Sequence, residues 1–185
     1  MATEELIVLV DRDGTPTGSA EKLSSHHART PLHLAFSCYV FDDAGRFLAT
    51  RRSMDKIVWP GVWTNSVCGH PAPGETFTAA IQRRLDQELG MTADDIDIVL
   101  AHHIYRAPPF RGIVEHELCP VFVARARTQP RPNPEEVAEH RWMRWEDFVR
   151  AARSDTADAF SWWSKNQLRE VGGRLGARAA CGWAR

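Results

Sequence analysis

The sequence predicts a single mixed α/β domain, on three observations. Apolar, β-branched runs recur along the chain, stretches with apolar residues at helical spacing interrupt them, and 185 residues with 43% hydrophobic content suffice for one full core. The near-even balance of 23 basic and 24 acidic residues, net charge -1, gives no reason to expect a nucleic acid or an anionic membrane as partner. Four cysteines, at 38, 68, 119 and 181, show neither CxxC spacing nor a disulfide-dense pattern, which suits a reducing compartment. With no basic leader at the N-terminus and no run of 18 apolar residues, the chain reads as soluble and cytoplasmic.

In chain order, Leu6-Ile7-Val8-Leu9-Val10 closed by Asp11-Arg12-Asp13-Gly14 reads as a strand and turn that open a hairpin. Residues 33–41 and 46–50, separated by Asp42-Asp43-Ala44-Gly45, predict a second hairpin, with Arg51 and Arg52 at its exit. Over 76–89, Phe77, Ala80, Ile81, Leu85 and Leu89 recur at helical spacing; Thr76 is suited to cap the start and Gly90 the end. Arg84 and Glu88, four apart, share one side of that helix away from much of the apolar stripe. Residues 96–105 and 112–126 read as further strands, 130–134 as a rigid proline-rich connector, and 146–152 and 160–171 as helices. The domain is expected to span 1–171, with the Gly/Ala/Arg-rich residues 172–185 as a mobile tail.

The most informative stretch is 69–91. Gly69, Glu75 and Arg83 stand at Gly-x5-Glu-x7-Arg spacing, followed by Arg84-Leu85-Asp86-Gln87-Glu88-Leu89-Gly90, the frame of a Nudix box. The hydrolase form of that motif calls for Arg-Glu-x-x-Glu-Glu, but here Arg84 and Gln87 stand at two of the glutamate positions and only Glu88 remains. Clustered carboxylates of this kind gather Mg²⁺ on a diphosphate and activate water, so their thinning argues against ordinary diphosphate cleavage.

Upstream lies Thr64-Asn65-Ser66-Val67-Cys68-Gly69-His70-Pro71, and downstream Glu115-His116-Glu117-Leu118-Cys119-Pro120. Together with Gly18-x-x-Glu21-Lys22, His33-Leu34-Ala35-Phe36-Ser37, Thr50-Arg51-Arg52, Trp59-Pro60-Gly61-Val62-Trp63, Trp142 and Phe160-Ser161-Trp162-Trp163, these segments closely resemble the type I isopentenyl-diphosphate isomerases over roughly the first 165 residues. The resemblance implies a Nudix-type α/β/α sandwich with a mixed sheet and an N-terminal extension. It also implies an isomerase that interconverts isopentenyl and dimethylallyl diphosphate in isoprenoid biosynthesis.

On a strand, Glu115 and Glu117 project from one face and His116 from the other. The resemblance adds His26, His33 and His70 to that pair, giving a His3Glu2 site for Mn²⁺, Mg²⁺ or Zn²⁺. The other histidines, 27, 102, 103, 116 and 140, read as structural. The reaction moves a double bond by one carbon, so one proton must arrive and another leave; the resemblance gives these roles to Cys68 and Glu117, with Tyr105 as relay, and leaves open which gives and which takes. Trp163, rather than its neighbour Trp162, is expected to turn an aromatic face to the carbocation-like state. Lys22, Arg52, Lys56 and Arg84 are expected to hold the diphosphate, with a second Mg²⁺ bridging it to Glu88. The expected partner is a small allylic or homoallylic diphosphate, and the expected state a monomer or weak dimer. A Nudix diphosphate hydrolase would need an intact glutamate cluster in the box helix, and a silent Nudix binding module would have lost Cys68, Glu117 or the histidines; the sequence fits neither.

Overall fold

The computed structural model describes residues 5–181, the side chains of 178–181 excepted. The expected first hairpin is β1 (Leu6–Val10) with β2 (Pro16–Glu21). A single helical turn, α1 (Lys22–Ser25), follows because the Glu21 carboxylate accepts the N–H groups of Leu23 and Ser24 at 2.8 and 2.6 Å. This turn was not legible as periodicity, since one turn carries no repeat.

The apolar run at 33–41 is not one strand. β3 (His33–Leu34) pairs with β1, and beyond Ala35 the chain continues as β4 (Phe36–Phe41) in a second sheet beside β5 (Phe47–Arg52). Short strands β6 (Trp63–Thr64) and β7 (Val67–Gly69) pair with β5 and β4 respectively. The box helix is α2 (Phe77–Leu89), capped as expected: Thr76 Oγ1 accepts the Ala79 N–H at 3.2 Å, and Gly90 turns left-handed at φ 54°. A Cβ at position 90 would also stand 2.9 Å from the Arg131 carbonyl oxygen.

The two long strands expected over 96–105 and 112–126 are each divided in the same way. β8 (Ala93–Leu100) and β11 (Val121–Ala126) lie in the second sheet, while β9 (Ile104–Arg106) and β10 (His116–Leu118) lie in the first. Pro120 has no N–H to continue the ladder, so β10 ends there. The Ala35 N–H to Leu118 O bond at 2.9 Å and the Ser37 N–H to Pro120 O bond at 3.1 Å carry the parallel pairing across the bend. His33 therefore stands in register beside Glu117.

With β12 (Val137–Met143), the sheets run β2-β1-β3-β10-β9 and β12-β5-β4-β11-β8. β12 escaped the sequence reading because it is mostly half-exposed and lacks a clear alternation. β4 is buried throughout and shows why the second sheet is the middle layer. Phe36, Cys38 and Val40 face Ile81, Leu85 and Leu89 of α2, whereas Tyr39 and Phe41 face α3 (Trp145–Arg153) and α4 (Trp162–Cys181). This is the mixed α/β/α sandwich the sequence predicts.

Helix α4 runs on past Val171, with Leu175 buried, and reaches Cys181; of the expected mobile tail, 182–185 lies outside the described residues. No helix among the described residues is long and apolar enough to cross a membrane.

Candidate active site

A cavity of about 470 Å³ opens where the two sheets diverge. Of the thirteen residues proposed from sequence, all but His33 line it: Lys22, His26, Arg52, Lys56, Cys68, His70, Arg84, Glu88, Tyr105, Glu115, Glu117 and Trp163. His33 is fully buried behind it. Residues spread over more than 140 positions meet because β3, β7 and β10 end at the bend and α2 crosses above it.

The box frame is a scaffold. Gly69 is favoured by close contact: a Cβ there would lie 3.0 Å from Arg84 Cγ and 3.2 Å from the Phe36 ring, so those side chains would have to shift. Arg83 grips Glu75 through Nε and Nη2 at 2.8 Å each, and Nη2 also donates to the His70 carbonyl at 3.1 Å. The loop carrying His70 is thus fixed by the frame, while Arg84 and Glu88 turn to the cavity.

At one end, ligand atoms of His26, His33 and His70 lie within 4.8 Å of one another, as do those of His33, Glu115 and Glu117. The ring nitrogens are disposed for metal. His26 Nδ1 donates to Lys22 O at 2.6 Å and His33 Nδ1 to Pro31 O at 3.0 Å, which leaves both Nε2 lone pairs inward. His33 Nε2 and His70 Nε2 face each other at 3.1 Å, His70 Nε2 lies 3.3 Å from Glu117 Oε1, and His26 Nε2 lies 3.4 Å from Glu115 Oε2. His70 Nδ1 is buried without a partner. Burial lowers the pKa of His33 and holds that of His70 well below the ordinary value, so both favour the neutral, ligating form. Burial also works against charge on His26, but the Glu115 hydrogen bond and charge outweigh it and raise its pKa. Converging imidazoles with two carboxylates fit a divalent metal.

Next to this group, Tyr105 Oη donates to Glu117 Oε2 at 2.5 Å. Burial, reinforced by the Glu117 charge, keeps the Tyr105 hydroxyl protonated far above its usual range. The Cys68 thiol is pushed up to about 11 by burial, with the Ser37 and Asn65 hydrogen bonds working against the shift. Trp163 lines the cavity, whereas Trp162 packs on Tyr105 at 5.5 Å between ring centroids.

The other end is ionic. Arg84 Nε donates to Glu88 Oε1 at 2.8 Å, and Glu136 bonds both Arg84, at 3.2 Å, and Lys56. Lys22 pairs with Glu5 at 2.9 Å. Arg52 donates to the carbonyls of Trp59 and Val58 at 3.0 and 2.9 Å, and its guanidinium lies 5.5 Å over the Trp163 ring. Trp59 takes a positive φ of 52°, a strained backbone beside the site. Burial raises the Glu88 pKa, with Arg84 opposing.

Sequence reading missed Glu136, which follows the proline-rich connector with no pattern to mark it. It also missed Ser37, Asn65, Ser164 and Gln167, all buried behind Cys68. One signal existed for the last two: Ser164 and Gln167 interrupt the buried stripe that continues through Leu168, Val171 and Leu175.

Residues 31–163 match the NUDIX domain. The chain is 51% identical over 166 residues to the isopentenyl-diphosphate Delta-isomerase of Mycolicibacterium vanbaalenii, covering 90% of this chain and 91% of the relative. It is 52% identical over 171 residues to the enzyme of that name from Paenarthrobacter aurescens, covering 92% of each. Among solved structures, the Deinococcus radiodurans protein DR0079 superposes with a TM-score of 0.67 at 19% identity, over 89% of this chain and 98% of that one. The MutT NUDIX hydrolase of Burkholderia pseudomallei does so with 0.57 at 19% identity, over 76% and 98%. These two likenesses concern the fold alone; about half of all positions are shared with the sequence relatives over nine-tenths of the chain, and the chain belongs to the isopentenyl-diphosphate Delta-isomerase family, built on a NUDIX domain.

Proposed function

We propose that this cavity interconverts isopentenyl and dimethylallyl diphosphate, with Cys68 and Glu117 as the two proton-transfer groups. The observation that carries the reading is the meeting, in one cavity, of the Cys68 thiol, a tyrosine-bonded carboxylate and a cationic end in which Arg84 occupies Glu88. A diphosphate hydrolase would need its box carboxylates for metal; here the remaining one is paired with an arginine.

The cations act at a distance from the reacting carbons. Lys22, Arg52, Lys56 and Arg84 hold the diphosphate, and that binding energy fixes the hydrocarbon between the two proton-transfer groups. Cys68 enters as a thiol, since burial keeps its proton on. Tyr105 holds Glu117 by its short hydrogen bond and relays protons to and from that carboxylate. Because the reaction is reversible, the group that protonates in one direction deprotonates in the other. Trp163 offers an aromatic face to the developing tertiary cation, stabilising charge without a lone pair that would trap it. Its contact with Arg52 ties this wall to the diphosphate anchor.

His26, His33, His70, Glu115 and Glu117 would hold one divalent metal, whose charge when bound fixes the histidines and the Glu117 carboxylate in place. Glu88, with the Cys68 carbonyl, would take a Mg²⁺ that arrives with the substrate. The diphosphate is the partner, and the protein acts in the cytoplasm as a monomer or weak dimer.

The test is proton NMR of metal-replete protein with isopentenyl diphosphate in D₂O, beside Cys68→Ala. Deuterium in a dimethylallyl product from the parent alone supports the reading. Released monophosphate would make the protein a hydrolase, and unchanged substrate a binding module.

A further inference from the structure

Behind Cys68, one carboxamide joins two elements of the site. Asn65 is fully buried between β6 and β7. Its Nδ2 donates to the Val67 carbonyl at 2.8 Å and the Cys38 carbonyl at 3.2 Å. Both partners only accept, so the amide cannot be flipped, and Oδ1 must face the other way. There it meets the Trp163 indole Nε1–H at 3.2 Å, which only donates, and Cys68 Sγ at 3.0 Å. Opposite an acceptor the thiol is the donor.

Oδ1 is oversubscribed. Thr64 Oγ1 also donates to it at 2.9 Å and Ser164 Oγ at 3.4 Å, but Thr64 can turn instead to Ser161 Oγ at 2.9 Å, and Ser164, which accepts from Ser161 at 2.8 Å, can turn to Thr64 Oγ1 at 3.1 Å. An amide oxygen has two lone pairs. The indole has no other acceptor among the described hydrogen bonds, and the thiol has only the longer contact to Ser37 Oγ at 3.6 Å. The two lone pairs therefore go to Trp163 and Cys68.

We infer that Asn65 is a positioning residue that orients the Cys68 thiol and the Trp163 indole through a single oxygen. In the substrate-free site the S–H bond points into the protein at Asn65, and a sulfur lone pair is left toward the cavity. The aromatic wall and the proton-transfer sulfur are thereby set at a fixed distance from each other. Asn65 bonds none of the cations of the diphosphate end and reaches Arg52 only through the Trp163 ring, so its loss acts more on the chemical step than on anchoring.

The inference rests on the reading of Cys68 as a proton-transfer group, and the experiment separates the two. In metal-loaded Asn65→Ala, kcat is expected to fall by about a hundredfold, the scale of a small misplacement of reacting groups, with KM for isopentenyl diphosphate within about threefold. The Raman S–H band that Cys68→Ala removes is expected to shift to the frequency of an unbonded thiol. The indole N–H resonance that Trp163→Phe removes is expected to move as well. A kcat within about twofold of the parent, a parallel rise of KM, or an unmoved band and resonance would overturn the inference. If Asn65→Ala does not fold, Trp163→Phe serves, because removing one donor from Oδ1 strengthens the other and lowers the S–H band frequency; an unmoved band overturns the coupling. Full activity of Cys68→Ala would instead sink the underlying reading of Cys68, while the two spectra still judge the role of Asn65.

Discussion

The two ends of the cavity hold their side chains by different physics. Around Cys68, Tyr105 and Trp163 the reacting groups are fixed by hydrogen bonds to one amide, one hydroxyl and one carboxylate, the last of them short. Around Arg84 and Lys56 the groups are charged on both sides, and Glu136 and Glu88 already neutralise the cations expected to take the diphosphate. A proton-transfer site gains from exclusion of water and from narrow geometry, since a carbocation-like state is consumed by any nucleophile. An anchor for a charged group gains from paired ions that can exchange partners. Variants at the two ends should therefore separate kcat from KM.

The largest effect is expected at the first end. Cys68→Ala and Glu117→Gln should each lower kcat by about 10²–10⁴-fold, the usual contribution of a positioned acid or base. They should differ in metal: Cys68→Ala keeps a full complement by elemental analysis and Glu117→Gln loses it. Equal metal content in both would remove Glu117 from the ligand set. Chelation followed by Mn²⁺, Mg²⁺ or Zn²⁺ titration then ranks the metals.

At the second end Arg84→Ala should raise KM by about 10–100-fold, corresponding to loss of charge-assisted hydrogen bonds, with kcat changed far less. An equal loss in kcat would show that the ionic end takes part in the chemical step and would erase the contrast. Release of monophosphate by Arg84→Glu would show that the frame still supports hydrolysis once a box carboxylate is restored.

The smallest effect is in pH. His33 and His70 have depressed pKa values in the fold, so below the unfolded value of 6.5 the unfolded chain binds the extra protons. Their contribution is present above 6.5 and is lost as pH falls through the folded values. His26 runs oppositely: its raised pKa gives stability present below 6.5 and lost as pH rises through the folded value. Metal-free protein should therefore have a lower Tm at pH 5.5 than at 7.5, two lowered groups outweighing one raised group. Removing His70 should flatten that slope; a slope unchanged in His70→Ala would place the titrating groups elsewhere.

Much of the fold was legible. The α2 stripe with Thr76 and Gly90 as caps, the first hairpin and both C-terminal helices followed from periodicity and turn chemistry. The division of three apolar runs between two sheets was not, because the composition of a strand does not say which sheet it joins. β12 left no trace because its pairing with β5 is a backbone matter and its side chains are mostly half-exposed.

The site divides in the same way. Residues whose chemistry is rare, such as the cysteine before Gly69-His70, the Glu115/Glu117 pair and the box with Arg84 in place of a glutamate, could be named from sequence because their types and spacing are improbable by chance. Sequence thus determined the family and the reaction class. Only the tertiary structure decided that Glu136 neutralises Lys56 and Arg84, and that Asn65 holds both thiol and indole. These depend on contacts between residues up to 98 positions apart, as Asn65 is from Trp163. Ordinary residue types acquire such roles from where the sheets bend, and no local pattern records that.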